Sequence, residues 1–228
     1  MRRIFIGASA LALSFAPTVH APEAVAKGPP KHVYVVLDTG IAYQWAGTVP
    51  EAEANAVAIM RGLRTLPARR YKDATFTFLD TVQGKAFWTG SYKQLGKIER
   101  EAYLTAASPK EVCADFTQLF EKLRFRLKRD RAADAVLVMS SPLYDVPTAF
   151  CEDEATERPR PPVAFKDAYR LDELLADPAL KRVVMVGGIP EQEAALFEHV
   201  APMEGAGKVT FTDTASLPAV IREMHGAY

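Results

Sequence analysis

Six short apolar runs punctuate the chain: Val33–Leu37, Ala74–Leu79, Gly84–Trp88, Ala135–Met139, Arg182–Val186 and Lys208–Phe211. Val33-Tyr34-Val35-Val36-Leu37 shows no alternation of apolar and polar positions, which predicts a strand covered on both faces, as in a parallel sheet. Between the runs the apolar positions recur at helical spacing. Thr48 and Glu51 stand at capping-box spacing and open a helix to about Leu66, with Val57, Met60 and Leu63 as its buried stripe. Residues 93–106 predict a helix. Ser108-Pro109-Lys110-Glu111 opens another, with Ser108 as the cap and Pro109 as the first helical residue. Val112, Phe116, Leu119, Phe120, Leu123 and Leu127 then form its core-facing stripe. Shorter helices are expected over Leu171–Ala176, Glu191–Val200 and Leu217–Met224.

Strands alternating with helices predict a doubly wound, mostly parallel six-stranded α/β sheet with helices on both faces. The turn between the second and third strands is too short for a crossover. The third strand is therefore expected to run antiparallel at one edge.

The N-terminus changes the picture of where the protein works. Met1-Arg2-Arg3 precedes an uncharged apolar stretch, Ile4 to Ala16, and then Pro17 and small residues. That is the layout of a secretory signal, too short for a membrane span of about 20 residues. Pro22 obstructs cleavage after Ala21, so the cut is expected after Ala26. The domain plan is a signal peptide over 1–26, a proline-bearing lead-in over 27–31, and one α/β domain over 32–228. The expected destination is the periplasm or the exterior, with no transmembrane segment after signal removal.

The chain carries 28 basic and 28 acidic residues. This balance lacks the basic excess of nucleic-acid binders, so no nucleic-acid partner is expected. Cys113 and Cys151 are the only cysteines, and export would permit them to pair. The bridge would close a loop of about 40 residues, which chain entropy values at roughly 4 kcal/mol. Two separate thiols are the alternative. Residues 151–162, CEDEATERPRPP, are charged and proline-rich and read as an exposed loop.

A first strand ending in Asp38, a helix, a hairpin to an edge strand and three further crossover units follow the order of a von Willebrand factor A domain. The chain resembles that family over roughly residues 32–226. The resemblance implies a protein-binding domain with a divalent-metal site built from Asp-x-Ser-x-Ser after the first strand, a loop Thr, and an Asp after the fourth strand. Asp38 matches the first carboxylate, but Gly40 and Ala42 stand where the serines belong. Ser140-Ser141-Pro142 replaces the usual Thr-Asp-Gly, and Thr105 or Ser108 would have to supply the loop hydroxyl. Mg²⁺ requires near-octahedral oxygen coordination, so these losses leave mostly water to hold it. The site is expected to be degenerate, with Asp38, Ser141 and Asp145 as its weak remaining ligands and Mg²⁺ or Mn²⁺ as the only cofactor to consider.

The same region has a role apart from metal. Ligands of open α/β sheets favour the crevice beyond the carboxyl ends of strands at the switch point. With the family's strand order that crevice is lined by Asp38, Thr39, Gly40, Ser140 and Ser141, with Gly187 and Gly188 on the next strand. These small polar groups suit a peptide or protein contact, and equally suit loop capping.

Other chemistry fits less well. Leu37-Asp38-Thr39-Gly40 spells an aspartic-protease turn, but that reaction needs two facing carboxylates. A dehalogenase-type phosphatase needs a second Asp where Gly40 stands. There is no Walker loop and no Gly-x-Ser-x-Gly elbow. His32, His199 and His225 lie in no metal-ligand spacing and read as surface or packing histidines. Lys122, Arg124, Arg126, Lys128, Arg129 and Arg131 end a helix, where positive charge complements its dipole. A solvated face is the default there and an anionic partner the minority reading. Phe87, Trp88 and Tyr92 are expected to cover the end of the core. The leading expectation is an exported protein-binding domain without catalysis. The alternatives are an exported hydrolase using Asp38 with Ser140 or Ser141, and a structural subunit of an envelope assembly.

Overall fold

The computed structural model describes residues 31–37, 49–80, 84–98, 116–140, 171–186, 197–213 and 215–223, together with Ala194. Its strands are β1 (His32–Leu37), β2 (Thr75–Asp80), β3 (Ala86–Ser91), β4 (Ala135–Ser140), β5 (Leu180–Val186) and β6 (Val209–Thr212). Its helices are α1 (Val49–Arg64), α2 (Ala68–Tyr71), α3 (Phe116–Arg129), α4 (Leu171–Ala176) and α5 (Leu217–Glu223), and residues 197–200 are also helical.

The strands form one sheet in the order β3-β2-β1-β4-β5-β6. Only the β2–β3 pair is antiparallel; β1–β2, β1–β4, β4–β5 and β5–β6 are parallel. The expected doubly wound sheet with one antiparallel edge is therefore present.

Side-chain alternation divides the apolar runs between two cores. Val33, Val35 and Leu37 of β1 join Val136, Val138, Val184 and Val186 on one face. Tyr34 and Val36 join Leu137, Met139, Val183 and Met185 on the other. The first core is covered by α1 through Ala56, Ile59, Met60 and Leu63 and by α5 through Leu217. The second is covered by α3 through Leu119, Phe120, Leu123 and Leu127, by α4, and by Val200. A run buried on both faces has no polar side to show, which is why β1 reads as unbroken apolar sequence.

Two elements depart from the sequence expectation. Residues 92–97 form a 3-10 turn, Tyr92–Lys97, where an α-helix was expected from 93. Arg64, at the end of α1, donates to the carbonyls of Leu95 (3.3 Å), Gly96 (3.2 Å) and Ile98 (2.8 Å). Those acceptors serve a side chain from another helix, so the local α pattern yields to a tertiary one. Ser91 and Gln94 form a capping box at its start. The later part of 93–106, the Ser108 cap, and Cys113 and Cys151 lie outside the described residues.

The third strand begins at Ala86 and runs to Ser91, later than the expected Gly84–Trp88. Gly84 is in the hairpin turn with φ 57°, a left-handed value that glycine adopts without strain. Gly90 has a different reason: a methyl there would meet Trp88 Cζ2 at 2.6 Å. The indole lies along its own strand over this glycine and meets Phe78 edge-on at 5.6 Å. Phe87, Trp88 and Tyr92 are partly buried against the first core, as expected.

Tyr34 ties the start of β1 to the end of α3. Its hydroxyl donates to Asp130 Oδ2 at 3.0 Å, and Asp130 is also paired with Arg129 at 2.8 Å. Burial, reinforced by the Asp130 charge and hydrogen bond, pushes the phenol above its ordinary value. Burial and neighbouring Arg129 hold Arg126 below its own.

Gly90→Ala should lower stability by about 1–3 kcal/mol through overpacking, a thermal midpoint lower by about 2–4 °C for each kcal/mol. In a Trp88→Leu background the same change should cost little, which a double-mutant thermal cycle measures. Above pH 10 the unfolded chain releases the Tyr34 proton that the fold retains, so stability falls as pH rises. Removing this phenol should flatten that fall: between pH 10 and 11, Tyr34→Phe should lose about 1 kcal/mol less than the wild type in denaturant titrations.

Candidate functional site

The pairing register lays out the carboxyl-terminal edge of the sheet as a row. Asp80 of β2 pairs with Leu37 of β1. Ser140 of β4 pairs with Val186 of β5, and Val186 with Thr212 of β6. Val36 and Met139 are partners in the central β1–β4 pair, so Leu37 and Ser140 finish together on adjacent parallel strands. The order reverses at this pair: β2 and β3 lie to one side of β1, and β4, β5 and β6 to the other. This is the topological switch point, where open α/β sheets place their ligand crevice.

The residues singled out from sequence follow directly from these strand ends. Asp38, Thr39 and Gly40 succeed β1, Ser141 succeeds β4, and Gly187 and Gly188 succeed β5. Ser140 is the last residue of β4. Asp38, Thr39, Gly40, Ser141, Asp145, Gly187 and Gly188 themselves lie outside the described residues. The strands that precede three of the four candidate segments in sequence, β1, β4 and β5, are neighbours in the sheet; the fourth candidate is Asp145.

Two carboxylates on the same edge are described, and both hold backbone. Asp80 Oδ2 accepts from the Lys85 amide at 3.2 Å, closing the β2–β3 hairpin. Asp213, immediately after β6, accepts from the Ser216 amide at 2.6 Å ahead of α5. That amide bond, with the Ser216 side chain second, holds the Asp213 carboxyl below the usual carboxylate range. An aspartate at a strand end in this fold therefore has a structural use that needs no metal. Among the described residues no three His, Cys, Asp or Glu side chains are grouped to hold an ion.

The remaining candidates fall into place on the opposite helix layer and at the sheet edge. Along α3, Lys122, Lys128 and Arg129 are exposed and Arg124 pairs with Glu173 of α4. His32 stacks on Tyr34 with ring centroids 6.2 Å apart, a packing role. His199 is half-buried, and His225 lies outside the described residues. No described helix is long and apolar enough to cross a membrane. Sequence reasoning did not find the Tyr34–Asp130 link, whose partners are far apart in the chain. It also did not find that Phe125 and Phe197 are exposed, at 66% and 61%. The one available signal for Phe125 was its position off the stripe formed by Leu119, Phe120, Leu123 and Leu127.

No family model matches the sequence, and no curated protein matches it. Among solved structures the chain is similar to a von Willebrand factor type A protein from Catenulispora acidiphila, with a TM-score of 0.48 and 13% identity. That match covers 86% of this chain and 42% of the other. It is also similar to the human COPII-coat protein Sec24c, with a TM-score of 0.48 and 12% identity over 88% of this chain and 32% of that one. The SpRpn10 VWA domain matches with a TM-score of 0.46 and 9% identity, over 87% of this chain and 99% of that one. The chain thus spans less than half the length of the first two. Its own strand order, β3-β2-β1-β4-β5-β6 with an antiparallel β3, carries the fold assignment: a doubly wound α/β sheet like those of von Willebrand factor A and Rossmann-like domains.

Proposed function

We propose that the chain is an exported protein-binding domain that holds its partner at the carboxyl-terminal edge of the sheet, with a degenerate metal site and no catalytic step. The observation that carries this reading is the switch point between β1 and β4. It supports a crevice there because the connections leave these two strands in opposite directions, parting the loops above them. Asp38, Thr39, Gly40, Ser140 and Ser141 would supply short donors and acceptors for a peptide backbone, and Gly187 and Gly188 would allow it close approach. The fold alone does not assign an activity. The binding reading rests on the chemistry of this short list of small polar groups, which suit a peptide backbone.

Photo-crosslinking side chains at Thr39 and Ser141 should capture a protein in the native compartment. One at Lys72, an exposed site ahead of β2 at the other end of the sheet, should not. Equal capture from all three positions, or none from the first two, would remove the crevice from the reading. Calorimetric titration with Mg²⁺ or Mn²⁺ should give no stoichiometric binding. A saturable heat abolished by Asp38→Ala would restore the metal site. Turnover of an ester, phosphoester or peptide substrate that Asp38→Ala abolishes would replace the reading with a hydrolase.

A further inference from the structure

The five parallel strands begin at the edge of the sheet opposite the crevice, and the antiparallel β3 ends there, with Ser91 beside Thr75 of β2. Under β1, β2 and β3 this amino-terminal edge is made of Lys31, residues 61–74 and residues 91–98. These segments hold eight basic residues and one acidic residue, Asp73, and all nine are exposed. They are gathered by tertiary contacts. Arg64, in the last turn of α1, binds the carbonyls of Leu95, Gly96 and Ile98, which sets the turn carrying Lys93 and Lys97 against the end of that helix. Arg61 and Arg64 complement the dipole of α1. Lys31, Lys72, Lys93 and Lys97 lie outside any α-helix, so that explanation does not reach them. The other half of the edge is mixed: Arg129 and Arg131 alternate there with Asp130 and Asp134, and Asp177 and Glu204 stand near Lys181 and Lys208 in sequence.

We propose that the amino-terminal edge under β1, β2 and β3 docks the chain on an anionic lipid bilayer, with the crevice edge turned away from it. The three strand ends span about 10 Å, comparable with the Debye length in physiological salt, so the charges act on a surface as a group. A bilayer with anionic headgroups attracts each Lys or Arg held near it, and it needs no groove to do so. Other polyvalent partners fit this edge less well. Phe125 and Phe197, the exposed large hydrophobic residues among those described, both lie outside these segments. The edge therefore lacks the apolar anchor that dominates protein interfaces. Its two aromatic residues are withdrawn from solvent, Tyr71 buried and Tyr92 half-buried with its hydroxyl on the Arg64 carbonyl, so it offers no platform for stacked bases. The chain also enters the sheet here. Since β1 begins at His32, the sequence that reads as a secretory signal, Arg2 to Ala16, is joined to the domain at this edge and not at the other.

Charge without apolar area makes the contact shallow and reversible, because nothing on this edge is built to insert between lipid chains. Its strength follows the density of anionic headgroups and falls as salt shortens the Debye length. The edge is the far side of the sheet from the crevice, and the inference stands whether or not the crevice binds a protein.

Flotation of the full chain with vesicles of equal parts phosphatidylcholine and phosphatidylglycerol tests it. The chain should bind them at low salt and be released as salt rises. Vesicles of phosphatidylcholine alone should hold far less, and what they hold measures the apolar stretch Ile4–Ala16. The double variant Lys93→Gln, Lys97→Gln should lower the charge-dependent partition about twenty-five-fold, about five-fold for each charge. Lys85→Gln with Lys122→Gln removes the same net charge from exposed positions off this edge and should lower it less than about two-fold. Both pairs should keep the circular dichroism spectrum of the wild type. Equal losses from the two pairs would assign binding to net charge and overturn the proposal. So would mixed vesicles that hold no more chain at low salt than phosphatidylcholine alone. A chain that ignores the vesicles and binds a single-stranded oligonucleotide through Lys93 and Lys97 overturns it in favour of nucleic acid.

Discussion

Burial of β1 and β4 on both faces is the constraint from which the remaining architecture follows. Neither strand has a side that water can reach: Val35, Val36, Leu37, Leu137, Val138 and Met139 are essentially inaccessible. Their backbone groups must be paired by neighbouring strands, because an unpaired buried amide costs about as much as a lost hydrogen bond. Their side chains must be covered above and below. The two cores and the two helix layers answer the second requirement, and the flanking parallel strands answer the first. With β1 and β4 central and parallel, every connection between parallel strands must cross a face, so all the parallel strands end on one edge. That the strand ends at Leu37, Ser140 and Val186 share that edge is a consequence of burial before it is a matter of function.

The same constraint explains what could be read from sequence. A strand without a polar face has little choice of structure, and β1, β4 and β5 are legible for that reason. β3 is an edge strand whose residues are mostly half-buried, and its placement depends on features a pattern does not encode. Gly84 is in the turn because of its backbone conformation, while Gly90 belongs to the strand because Trp88 lies across it. Both glycines look alike as letters. The 3-10 turn at Tyr92–Lys97 escapes for a similar reason. Carbonyls in it and just after it are claimed by Arg64 from a helix just over 30 residues earlier, and Tyr92 returns a hydrogen bond to the carbonyl of Arg64 itself. For the site, sequence named the residues next to the strand ends, and topology supplied the adjacency of those ends. The exposure of Phe125 and Phe197 went unread because it is spatial: each depends on how its helix meets the second core.

Net charge hides this arrangement as well. Equal totals of 28 and 28 suggest an electrically bland molecule, yet basic residues gather at the end of α3 and acidic ones at the start of α4. Some of that separation has a local explanation, because basic residues at the end of α3 and acidic residues in the first turn of α4 each complement a helix dipole.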